Sequence, residues 1–288
     1  MLGINTNAPS LGAQTNLSRS AGSLETSIAR LSSGLRVNSS KDDAAGLAIA
    51  ERMTAQIRGF DVAARNANDG ISLLQVADGA LGKISDNLQR MRELGVQAKN
   101  GTLNDTDRAN LNREFTELAN EVGRVATGTT FNDNNVFAAA NKSVELQIGA
   151  GNDASDTLAV NLTDDATAGG NDLQTTLGGA TQAAIVTAFG GVDTAANAET
   201  AIDTIDTAID DITNLRATVG AGLSRLEQVV GSLETSSSNL SSARGRIMDA
   251  DFAKETANLT RSQILQQAGT AMLAQANQLP NNVLSLLR

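Results

Sequence analysis

The 288 residues include no Cys, His, Trp or Tyr and only six Phe, yet 41% are hydrophobic; without imidazole or thiol there is no disulfide, no soft metal site and no His- or Cys-based nucleophile. The net charge of −10 is concentrated in one stretch: Ser143 to Leu215 carries 12 acidic residues and no Lys or Arg, which leaves 20 acidic against all 22 basic residues elsewhere. No basic stripe offers itself to a nucleic acid, and no stretch approaches the roughly 20 apolar residues of a membrane span. The opening MLGINTNAPSLGAQTNLSRS lacks the basic-then-apolar order of a secretory signal, which by itself reads as cytoplasmic.

The apolar content is mostly Ala, Leu, Ile and Val, which suits helices packed along stripes. In chain order, Leu17, Ala21, Leu24, Ile28, Leu31 and Leu35 alternate steps of four and three, the heptad spacing of a coiled-coil seam. In KDDAAG (Lys41 to Gly46) two adjoining carboxylates point apart on a helix and fall short of a calcium loop, so they predict a helix cap. A second helix follows through Met53, Ile57, Phe60, Ala64, Ala67, Ile71 and Leu74, shifts phase near Gln75 and resumes at Leu81, Ile84, Leu88 and Met91. Asn100-Gly101 breaks it; Leu111, Phe115, Leu118, Val122 and Val125 mark the next helix, with Asp105 or Thr106 as its expected cap.

VELQI (Val144 to Ile148) and LAVNL (Leu158 to Leu162) alternate apolar and polar around the turn formers GAGNDASD, a β-hairpin pattern. Thr163 to Thr200 is rich in Gly, Thr, Ala and Asp and reads as surface loop with one short helix near Gln182 to Phe189. From Ile202 to Ile247 a single seam runs without slipping, interrupted only by Arg216, Ser237 and Arg244. As a helix it is about 70 Å long at ~1.5 Å per residue. A last amphipathic run passes through Ile264, Ala268, Ala271, Met272 and Leu279 to Pro280. Helices at both ends around a different middle imply a chain that goes out and returns. The expected fold is mainly α: long antiparallel helices forming a terminal coiled coil and a rod-like helical bundle with a small β-hairpin region.

Several long motifs in order then carry a resemblance: INTN (Ile4 to Asn7), LSSGLRVNSSKDDAAGLAIAERM (Leu31 to Met53), RNANDGISLLQ (Arg65 to Gln75), LQRMRELGVQAKNGT (Leu88 to Thr102), ARGRIMDADFAKE (Ala243 to Glu255) and the closing QILQQAGTAMLAQANQLPNNVLSLLR. In these the sequence resembles bacterial flagellin over roughly 1–165 and 200–288. It departs from the family at Gly95, at GLSRLEQ (Gly222 to Gln228) and at FNDNNVF (Phe131 to Phe137). The resemblance implies a non-enzymatic, cofactor-free, metal-free structural subunit that is exported unfolded and polymerises helically into the extracellular filament of a bacterial flagellum, correcting the cytoplasmic reading. It implies an inner-tube domain of 1–42 with 255–288, a rod of 43–165 with 200–254, and a short acidic, surface-exposed variable region at 166–199. The assembly seam would be Leu17, Ala21, Leu24, Ile28, Leu31 and Leu35 with Ile264, Ala268, Met272 and Leu279. Implied partners are further copies of the chain, the flagellar export machinery and its chaperone, the filament cap and hook-junction proteins, and a host Toll-like receptor reading Gln89, Arg90, Leu94 and Glu114. Nucleic acid and membrane insertion are not expected. The rival readings are a secreted helical adhesin or translocon component, which would need a lipid-inserting segment, and the hook–filament junction protein, which shares the terminal seams. An enzyme is the third class, and a proteolytic form would need the absent His.

Overall fold

The computed structural model describes residues 7–137, 143–161 and 182–286. Its helices are α1 (Ala8–Ser33), α2 (Ala44–Ala98), α3 (Asp105–Gly128), α4 (Gln182–Phe189), α5 (Ala195–Met248) and α6 (Phe252–Leu286). The strands are β1 (Thr130–Phe131), β2 (Asn134–Asn135), β3 (Ser143–Gln147) and β4 (Thr157–Asn161). The chain forms two compact units, Arg58–Ser237 and the pair Met1–Ile57 with Ser238–Arg288. Their limits fall inside α2 and α5, so the linkers at 34–43 and 249–251 both lie within the second of these.

In the Arg58–Ser237 unit, α2 and α5 run antiparallel. Arg216 Nε donates to Asp78 Oδ1 at 2.9 Å, Arg92 pairs with Asp206, and Lys99 Nζ donates to Glu199 Oε1 at 3.0 Å. The buried stripe of α2 includes Ala67, Leu74, Leu81 and Leu88 on one row and Ala63, Gly70, Ala77, Ile84 and Met91 on the other. This is one unbroken seam, not the two phases expected around Gln75. The apparent shift arises because Gly70 and Ala77 hold seam positions while offering little apolar surface. Glycine there allows close approach: a Cβ on Gly70 would meet the Leu146 side chain, and one on Gly222 would lie 3.2 Å from Leu74 Cδ1. Gly95, a departure from the family pattern, serves the same end, since a Cβ there would lie 3.0 Å from Ile202 Cγ1.

The long seam of α5 holds in a wider form. Ile205, Ile212, Val219, Leu226 and Leu233 are buried as expected, but the second row shifts one residue to Ala201, Ala208 and Leu215. Both rows still repeat every seven residues, and the partly buried Ile202 and Ile209 flank them, which widens the stripe. Both seam interruptions in this unit reach across to α2: Arg216 to Asp78, and Ser237 Oγ to Asp61 Oδ1 at 3.3 Å.

Asn104 caps α3, not the expected Asp105 or Thr106; its Oδ1 accepts from the Asp107 amide at 2.8 Å. Asn132 and Asp133, both at positive φ (50° and 60°), make the two-residue turn joining β1 to β2. β3 and β4 pair antiparallel with Val144 opposite Val160 and Leu146 opposite Leu158, the expected hairpin. The stretch 182–199 corrects the expectation of an exposed surface region. α4 packs on α3, burying Ile185 and Phe189, and Val192 is held by a 2.8 Å bond from its amide to Asn112 Oδ1. Thr, Gly and Asp set the composition of that stretch, but four spaced apolar side chains (Ile185, Phe189, Val192 and Ala198) set its burial. The part at 162–181 lies outside the described residues.

In the other unit, α1 opens on Asn7, whose side chain accepts from Ser10 N at 3.2 Å, and closes on Gly34 at φ 73°. The two linkers then clasp each other. Arg36 N donates to Met248 O at 2.6 Å, Ala250 N donates to Gly34 O at 2.9 Å, and Leu35 bridges to Asp249. Leu35 is therefore not the last helical seam residue but part of this clasp. Arg244 Nη1, the third seam interruption, donates to Thr54 Oγ1 at 3.4 Å. As expected, the carboxylates of KDDAAG serve the backbone: Asp43 Oδ1 accepts from Gly46 N at 2.8 Å, and Asp42 Oδ2 accepts from the Asn38 and Ser39 amides and the Ser39 hydroxyl.

Candidate functional site

α1 and α6 lie antiparallel, with Asn7 Nδ2 donating to Ala276 O at 2.9 Å at one end and Ser27 Oγ donating to Glu255 Oε1 at 2.7 Å towards the other. The face between them is built from small and polar residues. Ser27 is 4% exposed and Glu255 8%, with Ser262 and Ala276 also buried. Gly269 lets Leu17 close in, since a Cβ there would lie 3.3 Å from Leu17 Cδ1. Of the expected seam on α1, only Leu17, Leu24 and Leu31 turn inward, each half-buried.

The remaining seam residues of α1, and those of α6 whose side chains are described, face out. Ile28 is 51% exposed, Ile264 60% and Met272 64%, and Ala21 and Ala268 are exposed as well. Leu279 lies on α6 beyond the described side chains. The α1–α6 pair is thus antiparallel as expected of a terminal coiled coil, but much of its expected seam is not buried within one chain. On α1 the second row of the stripe is displaced by one residue, from Ala21 and Ile28 to the half-buried Ser20 and the buried Ser27. Small residues let the helix axes approach, and the bulkier apolar neighbours are turned outward. Leu11 and Leu265, which the spacing did not single out, join the exposed apolar set. Along α6 a shallow groove is lined by Ala257, Thr260, Arg261, Ile264 and Leu265.

The second group of sequence-marked residues is brought together only in part. Arg90 donates through Nε and Nη2 to Glu114 Oε1 at 3.0 and 2.8 Å, and through Nη1 to Glu93 Oε2 at 2.8 Å. These hydrogen bonds, Glu93 first and then Glu114, raise the guanidinium pKa. Gln89 lies exposed beside them, with Nε2 3.5 Å from Ser85 Oγ. Leu94 does not share that face: it is 1% exposed and belongs to the core of the unit. A four-residue step turns a helix 40° past a full turn, enough to carry Leu94 from the rim under α2. Glu93, which the spacing passed over, completes the charged cluster instead.

No group of three or more His, Cys, Asp or Glu side chains among the described residues is placed to hold a metal ion, and no described helix is long and apolar enough to cross a membrane.

Residues 4–142 match the bacterial flagellin N-terminal helical region, and residues 202–287 match the bacterial flagellin C-terminal helical region. A flagellin of Halalkalibacterium halodurans is 43% identical over 287 residues, spanning 99% of both chains. One from Xenorhabdus nematophila is 41% identical over 314 residues, again spanning 99% of both. Among solved structures, Bacillus cereus flagellin is 34% identical, with 59% of this chain and 88% of that one covered at a TM-score of 0.48.

Proposed function

Because the chain belongs to the bacterial flagellin family, and is thereby a structural subunit of the flagellar filament and not an enzyme, we propose that its α1–α6 pair is the polymerising element and orders fully only between neighbouring subunits. The observation that carries this reading is the inverted arrangement of the pair: Ile28, Ile264 and Met272 outward, Ser27, Glu255 and Ser262 between the helices. Three half-buried leucines, worth about 2 kcal/mol each even when fully buried, are a weak return for helices whose every residue costs roughly 1–2 kcal/mol to order. Neighbouring copies that cover the outward stripe supply the missing burial. On this reading the contact between copies is head-to-tail and, because it does not close, propagates as a helix.

On this reading 1–42 with 255–288 line the inner tube, and 43–165 with 200–254 form the surrounding rod. The described part of the expected variable region, 182–199, belongs to the Arg58–Ser237 unit. Weakly ordered ends also suit export as an unfolded chain through the flagellar export machinery with a chaperone. Cap and hook-junction proteins would meet the same outward stripe. A host Toll-like receptor would read Gln89, Arg90 and Glu114 on the rim, with Leu94 acting only through stability.

Ile28→Asp and Met272→Asp test the central claim. Each should leave monomer melting unchanged and prevent seeded filament growth seen by electron microscopy, because a charge replaces a side chain that assembly desolvates. Normal filaments from both variants would remove the α1–α6 pair from the assembly surface. Hydrogen exchange sharpens the same point: α1 and α6 should exchange freely in monomer and become protected in filament.

A further inference from the structure

The turn between α2 and α3 holds the chain's single Asn-Gly dipeptide, Asn100-Gly101, with both residues exposed. Three hydrogen bonds converge on the Asn100 side-chain and backbone carbonyl oxygens. The Thr102 amide donates to Asn100 Oδ1 at 3.2 Å. The Asn100 carbonyl oxygen accepts from Arg108 Nη2 at 3.1 Å and from Leu103 N at 3.3 Å. Arg108 is itself held in place, since its Nε donates to Ala98 O at 3.1 Å. A Cβ at Gly101 would find nothing within 4 Å, so the dipeptide is open from the solvent side.

We propose that Asn100 is a site of self-modification, where the folded α2–α3 turn promotes deamidation through a cyclic imide with Gly101. Solvent hydroxide removes the Gly101 amide proton, and the nitrogen attacks Asn100 Cγ. The new N–Cγ bond closes a five-membered ring. The side-chain nitrogen leaves as ammonia, taking a proton from water and regenerating the hydroxide. Water then opens the imide at either carbonyl, giving an aspartate or an isoaspartate at position 100. The net change is water in and ammonia out, with no oxidant or reductant.

Each hydrogen bond favours a step of this sequence. Charge on the deprotonated Gly101 nitrogen delocalises onto the Asn100 carbonyl oxygen, where a guanidinium and an amide already donate. Attack at Cγ moves negative charge onto Oδ1, where the Thr102 amide donates. That same bond folds the side chain back over the following peptide, so that Cγ and the Gly101 nitrogen lie in one small hydrogen-bonded ring. Glycine leaves the nitrogen unshielded. The product carboxylate adds a negative charge beside Arg108 and the amino end of α3. The isoaspartate branch also lengthens the backbone by one methylene and pulls the carbonyl away from Arg108.

The full-length protein, incubated at neutral and mildly alkaline pH, tests this by peptide mass mapping and isoaspartyl methyltransferase labelling. Asn100 should convert ahead of every other asparagine, at a rate that rises with hydroxide and is at least that of a free peptide spanning Gln97 to Asn104. Arg108→Gln should slow it several-fold, and Asn100→Ser should abolish both the mass change and the label. Conversion slower in the folded protein than in the peptide would overturn the proposal, because the turn would then protect the site. An unchanged rate in an Arg108→Gln variant that melts like the wild type would do the same.

Discussion

The α1–α6 pair and the Arg58–Ser237 unit are both antiparallel helical assemblies with near-heptad spacing, yet they distribute their side chains in opposite senses. In the larger unit the big apolar residues, Leu81, Ile84, Leu88 and Met91 among them, are at or near zero exposure and the charges pair on the surface. In the terminal pair a Ser–Glu hydrogen bond is buried and Ile264 and Met272 are exposed. The first arrangement satisfies its hydrophobic groups within one chain. The second leaves them exposed, and on the proposed reading another copy covers them. The sense in which a helix pair faces its apolar stripe therefore distinguishes a self-sufficient fold from one that needs neighbours.

The strongest way to break this contrast is Phe189→Ala. Its side chain is 1% exposed in a stretch whose composition reads as loop, so the substitution should cost the monomer about 3–5 kcal/mol by urea unfolding. A cost near zero would return 182–192 to the surface and shrink the larger core. Ser27→Ala comes next. It strips Glu255 of the hydroxyl that donates to it, a loss of about 1–3 kcal/mol wherever that carboxylate is desolvated. The contrast predicts that the loss shows in the depolymerisation temperature of filaments while monomer melting stays put.

A glycine pair sharpens the picture inside the larger unit. A Cβ on Gly59 would lie 2.5 Å from Ala150 Cβ and 3.1 Å from its Cα, so Gly59→Ala must push the hairpin loop off α2 and should destabilise by about 1–3 kcal/mol. Gly79 faces open space, and Gly79→Ala should stabilise the same helix by up to about 1 kcal/mol. Equal thermal shifts from the two would mean that the hairpin is not seated on the helix.

The smallest effect belongs to Asp42, in the clasp region of the terminal unit. The Ser39 hydroxyl, followed by the Asn38 and Ser39 amides, holds its carboxyl below the ordinary value. A lowered pKa contributes stability that is complete above the unfolded carboxylate range and is lost as pH falls through the folded value. Asp42→Asn should therefore slightly weaken protection of the Asn38 and Ser39 amides at neutral pH and make no difference in strong acid, as measured by hydrogen exchange on filaments.

Much of the architecture was legible beforehand because large apolar side chains repeat at helical intervals: the long helices, the return of the chain and the alternating hairpin of Val144, Leu146, Leu158 and Val160 all follow from that. The flagellin motifs were legible because they are long and ordered. What the amino acids could not reveal alone was the direction each helix faces at its small residues. Gly70, Ala77, Ala201, Ala208, Ser27 and Gly269 contribute little to a hydropathy pattern, yet they sit in the contact rows, and contact distance is a property of two elements at once. For the same reason Leu94 went under the helix and Ile28 went out: on a surface 100° wide, a shift of one residue in the contact row decides which neighbour is buried. Local sequence thus determined which segments are helical and amphipathic, while the packing of small side chains across the interface decided which part of each stripe is buried within the chain and which is left exposed.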